Sequence, residues 1–377
     1  TMPASLSPSQ YKELLKVMIR ANEPVLATGA PGIGKTDIMH EACDEVGADL
    51  IVIHPAISDP TKVEGMPWPD AKTKTANFLP FGDFKRCLEA TKPTVLFMDD
   101  LGQASPAMQA ACMQIIHAAS NSRRIGDHVL PKCVTPMAAT NLRTHRAGVQ
   151  GMLEPVKSRF TTIVEVHTNV DDSAAWFIDH GYPPWLPTFL HFRPELLHGW
   201  NVFCEKCNKY VVVGVAGQCP TCKAKLQSGP SNDMVNSPNP RTWANAGRIS
   251  RLGLPAIVEL AAMQGAVGEG AAAEALGFIR IERELPSLDS ILLDPDSAAI
   301  PTRPEARYAV AVGVAQKANA GNFARVAQYA ERLRKANASE FAALMIRDSY
   351  RRNKDICDTP AFIKMMAGEL GKLVRGE

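Results

Sequence analysis

The chain has 377 residues, of which 46% are hydrophobic and 21% charged, with a formal net charge of +2. This suffices for two or three globular domains, and the charge is too small to argue for general nucleic-acid or membrane-surface binding on electrostatic grounds. No apolar run is long enough to span a bilayer, and no secretory leader pattern is visible, so a cytoplasmic location without membrane contact is expected. The nine cysteines are uneven: four lie between Cys204 and Cys222, and five (Cys43, Cys87, Cys112, Cys133, Cys357) are scattered. That distribution fits a reducing compartment better than a disulfide framework.

In chain order, Ser7-Pro8 followed by Tyr11, Leu14, Leu15, Met18 and Ile19 predicts a capped amphipathic helix. A short strand follows over Pro24 to Thr28, then the glycine-rich "GAPGIGKT" and a helix reaching about Val46. Leu50 to Ile53 predicts a strand, and the Pro-, Gly- and Thr-rich residues 58–80 an irregular insertion with turns. Phe84 to Ala90 predicts a helix, Thr94 to Met98 a buried strand, and Ser105-Pro106 opens a helix through "SPAMQAACMQIIHAAS". Turn residues between apolar flanks over 122–134 predict a hairpin, with Arg123-Arg124 read as a solvated turn. "VTPMAATN" and "TTIVEV" complete five strands that alternate with helices, which implies a mostly parallel sheet covered on both faces. After His167 the pattern turns helical. It is interrupted by the cysteine cluster and by a loop rich in Ser, Asn and Pro from Ser228 to Pro240.

Gly29-Ala30-Pro31-Gly32-Ile33-Gly34-Lys35-Thr36 fits the phosphate-loop pattern, and it stands between a predicted strand and a predicted helix as that pattern requires. Its glycines let backbone N–H groups turn toward phosphates, and the helix N-terminus adds partial positive charge. Lys35 is expected to reach the β- and γ-phosphates, and the Thr36 hydroxyl to ligate Mg²⁺. Two acids end the buried strand at Asp99 and Asp100. Asp99 is the expected Mg²⁺ partner, and Asp100 is placed to orient or deprotonate water.

Phosphate loop, acid-ended strand, "AATN" and "SRF" stand in an order that resembles the AAA+ ATPases, closest in wording to the MoxR-like branch and its bacterial-virus members. The resemblance covers roughly residues 7 to 170 and resumes at "SPNPRTW". It implies a P-loop α/β core over 1–168, with the helix-2 insertion at 58–80 and a pre-sensor hairpin at 122–134. A helical lid over 169–303 and a helical C-terminal region over 304–377 would follow. It further implies ATP bound between subunits of a ring, a hexamer in this branch, and a remodelled protein client. Asn141 would be the sensor contacting the attacking water, with capping of the next turn as the alternative. Arg159 would be the finger reaching a neighbouring subunit, with Arg143 and Arg146 as rivals, and Arg241 the lid sensor. The branch's inserts face a central pore. Met66 and Trp68 of "GMPW" would there grip a polypeptide, although packing the insertion onto its own domain is the simpler reading.

The branch usually carries Asp-Glu where this chain has Asp99-Asp100. Asp and Glu have nearly the same intrinsic pKa, so any loss comes from a carboxylate drawn back by one bond. A working but slow ATPase is expected.

Cys204 and Cys207 form one C-x-x-C, and Cys219 and Cys222 form another after eleven intervening residues. Each makes a knuckle offering two thiolates, and four with no open position describe a structural Zn²⁺ site. An iron centre with these ligands is the alternative. The expected ribbon, an insertion over 199–228, carries Lys206, Lys209, Lys223 and Lys225. Those lysines permit nucleic-acid contact, but a protein partner fits them equally well.

Overall fold

The alternation of side chains along the buried strands produces a sheet with an apolar surface on each face. In the computed structural model, which describes residues 4–70, 72, 75–117, 119–141, 151–213, 217–226, 234, 236–284 and 288–375, six parallel strands form that sheet. They are β1 (Ala4–Leu6), β2 (Val25–Gly29), β3 (Asp49–Ile53), then β6 (Thr94–Met98), β9 (Val134–Thr140) and β10 (Thr162–Val166), in the spatial order β1-β10-β2-β9-β6-β3. Leu26, Leu96, Met98 and Ala138 enter one core. Val25, Ala27, Val95, Phe97, Met137, Ala139 and Val164 enter the other. Helices α1 (Pro8–Ala21) and α2 (Lys35–Val46) contribute Tyr11, Leu15, Met39 and Cys43 to that second core. This is the parallel α/β sheet, covered on both faces, that the sequence predicts.

α1 starts where the sequence placed it, on a capping box formed by Ser7 and Gln10. The short edge strand β1, paired to β10, is an addition to the five expected strands; three residues are too few to show a period of two. Residues 58–80 are more regular than expected: α3 (Thr61–Glu64) leads into an antiparallel ladder of β4 (Met66–Asp70) and β5 (Thr75–Leu79). Met66 and Trp68 are about three-fifths exposed there, so they do not pack the insertion onto its own domain. α4 (Gly82–Leu88) precedes β6.

The helix opened by Ser105 is shorter than expected: α5 (Pro106–Cys112) ends early. Ile115 and Ile116, adjacent in sequence, are both fully buried, and the Gln114 carbonyl accepts the Arg124 N–H. That bond commits the Gln114 carbonyl to the hairpin rather than to a further helical turn. The expected hairpin follows as β7 (Arg124–Ile125) and β8 (His128–Val129). Arg123 corrects the sequence reading, being only 1% exposed. Its guanidinium donates to the carbonyls of Asn22, His117 and Val134 and to Asn22 Oδ1. It thereby ties the hairpin base to the end of α1 and the start of β9. Arg143 and Arg146 lie outside the described residues.

The chain divides into two units, one of Thr1–Ser173 with His198–Thr242 and the other of Ala174–Leu197 with Trp243–Glu377. The first also holds α6 (Glu154–Lys157) and the antiparallel pair β11 (Trp200–Cys204) and β12 (Lys209–Val213). The second unit is helical. Its C-terminal core is built by Val310, Val314, Phe323, Val326, Tyr329, Leu333, Met345 and Ile346. Among the described residues, no helix is long and apolar enough to cross a membrane.

Candidate functional site

The strand order brings the carboxyl ends of β2, β9 and β6 side by side, which is where parallel α/β sheets hold ligands. β2 ends in Gly29, whose φ of 156° is close to extended backbone. A Cβ there would lie 2.5 Å from the Val166 carbonyl oxygen, so the close approach of β10 demands glycine. Pro31, Gly32, Ile33 and Gly34 carry the chain into α2. Ile33 anchors the turn in the apolar core, and Gly32 and Gly34 take left-handed φ angles of 79° and 92°.

Lys35 opens α2 and is 7% exposed. Its Nζ donates to the carbonyls of Gly29 (3.1 Å) and Ala30 (3.0 Å) and to Asn141 Oδ1 (3.1 Å). Burial pulls the ammonium down to about 8, helped by Arg241 and opposed by Asp99 and Asp100. Thr36 Oγ1 donates to Asp99 Oδ2 at 2.8 Å, setting two hard oxygens side by side at the end of β6. That pair fits the oxygen donors Mg²⁺ requires.

Asp100 has a φ of 55°, a left-handed conformation that a short polar side chain tolerates better than a long one. Its N–H donates to Asp99 Oδ1 (3.0 Å), and its Oδ1 accepts from Asn141 Nδ2 (2.9 Å). Burial raises the Asp100 carboxyl above the usual aspartate value and Asp99 adds to this, while Lys35, His54 and Arg241 oppose it. Asn141, 8% exposed, follows β9 directly and bridges Lys35 to Asp100. Arg241 lies in the same unit. Its backbone N–H donates to the Gly32 carbonyl at 3.0 Å, and its charge is felt by both Lys35 and Asp100. Half-buried Arg159 sits after α6, and its guanidinium has no hydrogen-bond or ion-pair partner among the described residues.

Three residues escaped the sequence reading. His54 follows β3 and stands beside Asp99, whose N–H bonds the Ile53 carbonyl at 2.9 Å. The available signal was its place at the carboxyl end of a neighbouring strand. Gln109 is fully buried; it donates to the Ala104 and Gly151 carbonyls and accepts from the Leu153 N–H, just ahead of α6 and Arg159. Asn239 lies against Gly32.

The four expected metal ligands converge. The Sγ atoms of Cys204, Cys207, Cys219 and Cys222 all lie within 4.8 Å of one another, with Cys204–Cys222 at 3.6 Å and Cys207–Cys219 at 3.8 Å. Zn–S bonds of about 2.3 Å in a tetrahedron require sulfur–sulfur edges of roughly 3.8 Å, so the donor set fits Zn²⁺.

No protein-family model matches the chain, and no curated protein does. Among solved structures it is similar to an ATPase candidate from Cytophaga hutchinsonii, at 18% identity and a TM-score of 0.30, over 42% of this chain and 46% of that one. It is also similar to NtrX from Brucella abortus in complex with ADP, at 12% identity and a TM-score of 0.32, over 50% of this chain and 46% of that one. The chain thus spans under half the length of either neighbour. The strand order and the phosphate loop, rather than these similarities, define a P-loop α/β fold.

Proposed function

We propose that the chain binds ATP·Mg²⁺ and hydrolyses it slowly, as a MoxR-like AAA+ ring ATPase that remodels or assembles a protein client. The observation that carries this reading is Asn141, whose amide joins the phosphate-binding Lys35 to the acid Asp100. The carbonyls of Gly29 and Ala30 hold the Lys35 ammonium until phosphate oxygens replace them. Thr36 and Asp99 would hold Mg²⁺, which when bound neutralises charge on the phosphate oxygens. Asp100, oriented by Asn141, accepts a proton from the attacking water. Arg241 adds positive charge from the same chain, and Arg159 is free to serve a neighbouring subunit's nucleotide.

The hairpins support a polypeptide client. Met66, Trp68, Phe78, Leu79 and Val129 are exposed on β4, β5 and β8, and His128 Nε2 lies 3.3 Å from the Phe78 carbonyl oxygen, joining the two ladders. A hexameric ring, a cytoplasmic setting in a bacterial or virus-infected cell, and a client from virus maturation or metalloenzyme assembly follow from the family resemblance alone.

Phosphate release tests the reading. Turnover that rises more than linearly with protein concentration and is abolished by Arg159→Ala supports a shared site. A monomer with unchanged turnover in Arg159→Ala sinks it. A second reading makes turnover incidental and lets the ribbon touch nucleic acid, and exposed Lys206, Lys223 and Lys225 favour it. It requires salt-dependent nucleic-acid binding that disappears in Cys204→Ser.

A further inference from the structure

We infer that the cysteine ribbon braces the phosphate loop, so that metal occupancy of the ribbon sets nucleotide affinity. The inference rests on the readings of the phosphate loop as a nucleotide site and the four thiolates as a Zn²⁺ site. A continuous path of described contacts joins them.

The path begins on β11, whose last residue is Cys204. Asn201 in that strand is fully buried. Its N–H donates to Ser237 Oγ at 3.0 Å, and its side-chain amide donates to the Asn236 carbonyl. Two residues earlier, the Gly199 N–H donates to the Pro238 carbonyl at 3.1 Å. A Cβ on Gly199 would meet Val212 Cγ1 at 2.5 Å, so the ribbon's second strand closes on this junction. Residues 236–238 are therefore held by the ribbon.

The next residue meets the loop. Asn239 is fixed from three directions: its N–H donates to Thr242 Oγ1 (2.9 Å), its Oδ1 accepts from the Thr242 N–H (3.1 Å), and its Nδ2 donates to the Ser237 carbonyl (3.2 Å). So held, Oδ1 stands 2.4 Å from where a Cβ on Gly32 would be. Two residues on, the Arg241 N–H donates to the Gly32 carbonyl at 3.0 Å. Gly32 is thus pressed by Asn239 and bonded by Arg241, and its left-handed turn aims the loop's N–H groups. Residues 237–241 are a short strut between ribbon and loop.

The ribbon cannot hold its end of the strut alone. Its buried apolar core is Cys204, Val211, Val213 and Cys219, and two of those four are metal ligands. Ribbons this small depend on the metal for their fold. Metal loss frees β11, then residues 236–238, then Asn239. A loop that must be ordered during binding binds its ligand less tightly.

The test uses the full chain, a fluorescent ADP analogue with Mg²⁺, and Zn²⁺ measured by competition with a chromophoric chelator. Zinc removal is expected to weaken nucleotide binding about tenfold, within the usual range of intersite coupling, and saturating nucleotide to tighten zinc by the same factor. In zinc-loaded protein, Asn239→Ala should weaken nucleotide about as much without loss of zinc. Asn239→Ser, which keeps a helix cap but does not reach Gly32, should do likewise with its melting temperature retained. If zinc and nucleotide both bind, and each affinity stays within twofold whatever the other does, the brace is overturned while both site readings stand. If no zinc binds, or no nucleotide, that site reading fails and the inference with it. If the zinc-free chain unfolds, the Asn239 variants decide: unchanged nucleotide affinity overturns the brace.

Discussion

Asn141 Nδ2 lies 2.9 Å from Asp100 Oδ1, and this bond fixes the second of the two acids that follow β6. The bond and the left-handed backbone at Asp100 act together, because the backbone turns the carboxylate toward the amide. Asp100→Asn should keep the shape and remove the base, lowering kcat by roughly 10²–10⁴-fold with nucleotide affinity little changed. Asp100→Glu lengthens the side chain at a strained position and breaks the fit to Asn141. It should turn over at least about tenfold more slowly than wild type. Single-turnover phosphate release decides, and a faster Glu variant would recast the native site as a holder of nucleotide.

Lys35 gives the site an alkaline limit. Only the ammonium attracts phosphate, and burial holds it at about 8 in the nucleotide-free chain. The protonated fraction therefore falls as pH rises through about 8, and kcat/KM should fall with it. Bound phosphates stabilise the charged form, so kcat should stay level to higher pH. Folding has the opposite sign. Between the folded value of about 8 and the ordinary value of 10.5, the unfolded chain binds more protons, so this group's contribution to stability rises with pH. Steady-state kinetics from pH 7 to 10, with Lys35→Arg as a control whose charge does not titrate there, test the first trend, and urea midpoints over the same range test the second.

The sequence made legible the features with local chemistry: the phosphate loop between strand and helix, the acid pair ending an apolar run, and two C-x-x-C knuckles. These depend on spacing within a few residues. What it hid depends on long-range packing. Arg123 read as a turn residue because nothing nearby shows that Asn22, a hundred positions earlier, supplies two of its acceptors. Gln109 and Asn239 likewise act through residues far along the chain. The early end of α5 was hidden because the bond that diverts the Gln114 carbonyl comes from Arg124 in the hairpin, beyond the helix pattern itself.

Arg123 should therefore matter for stability rather than for catalysis. Its bonds to Asn22, His117 and Val134 lie in the core, and truncation leaves those acceptors without it. Arg123→Ala is expected to cost about 3 kcal/mol or more, from unsatisfied buried acceptors and the cavity together. Arg124→Ala, on an exposed neighbour, should stay within about 0.5 kcal/mol. Urea unfolding of the pair tests this, and equal midpoints would refute the buried role.

Tyr11 presents the reverse case. Its ring is fully buried against the sheet, yet its hydroxyl has no hydrogen-bond partner among the described residues. Burial and the Asp99 charge both raise the phenol's pKa, so it stays neutral at every working pH. An unpaired buried hydroxyl costs about 1–3 kcal/mol in desolvation, and removing it returns part of that cost. Tyr11→Phe should therefore leave stability unchanged or raise it by about 1 kcal/mol, with the ring's packing intact. Chemical denaturation measures the difference. A loss of more than about 1 kcal/mol would show that the hydroxyl is bonded in solution, since that is the typical net worth of one hydrogen bond.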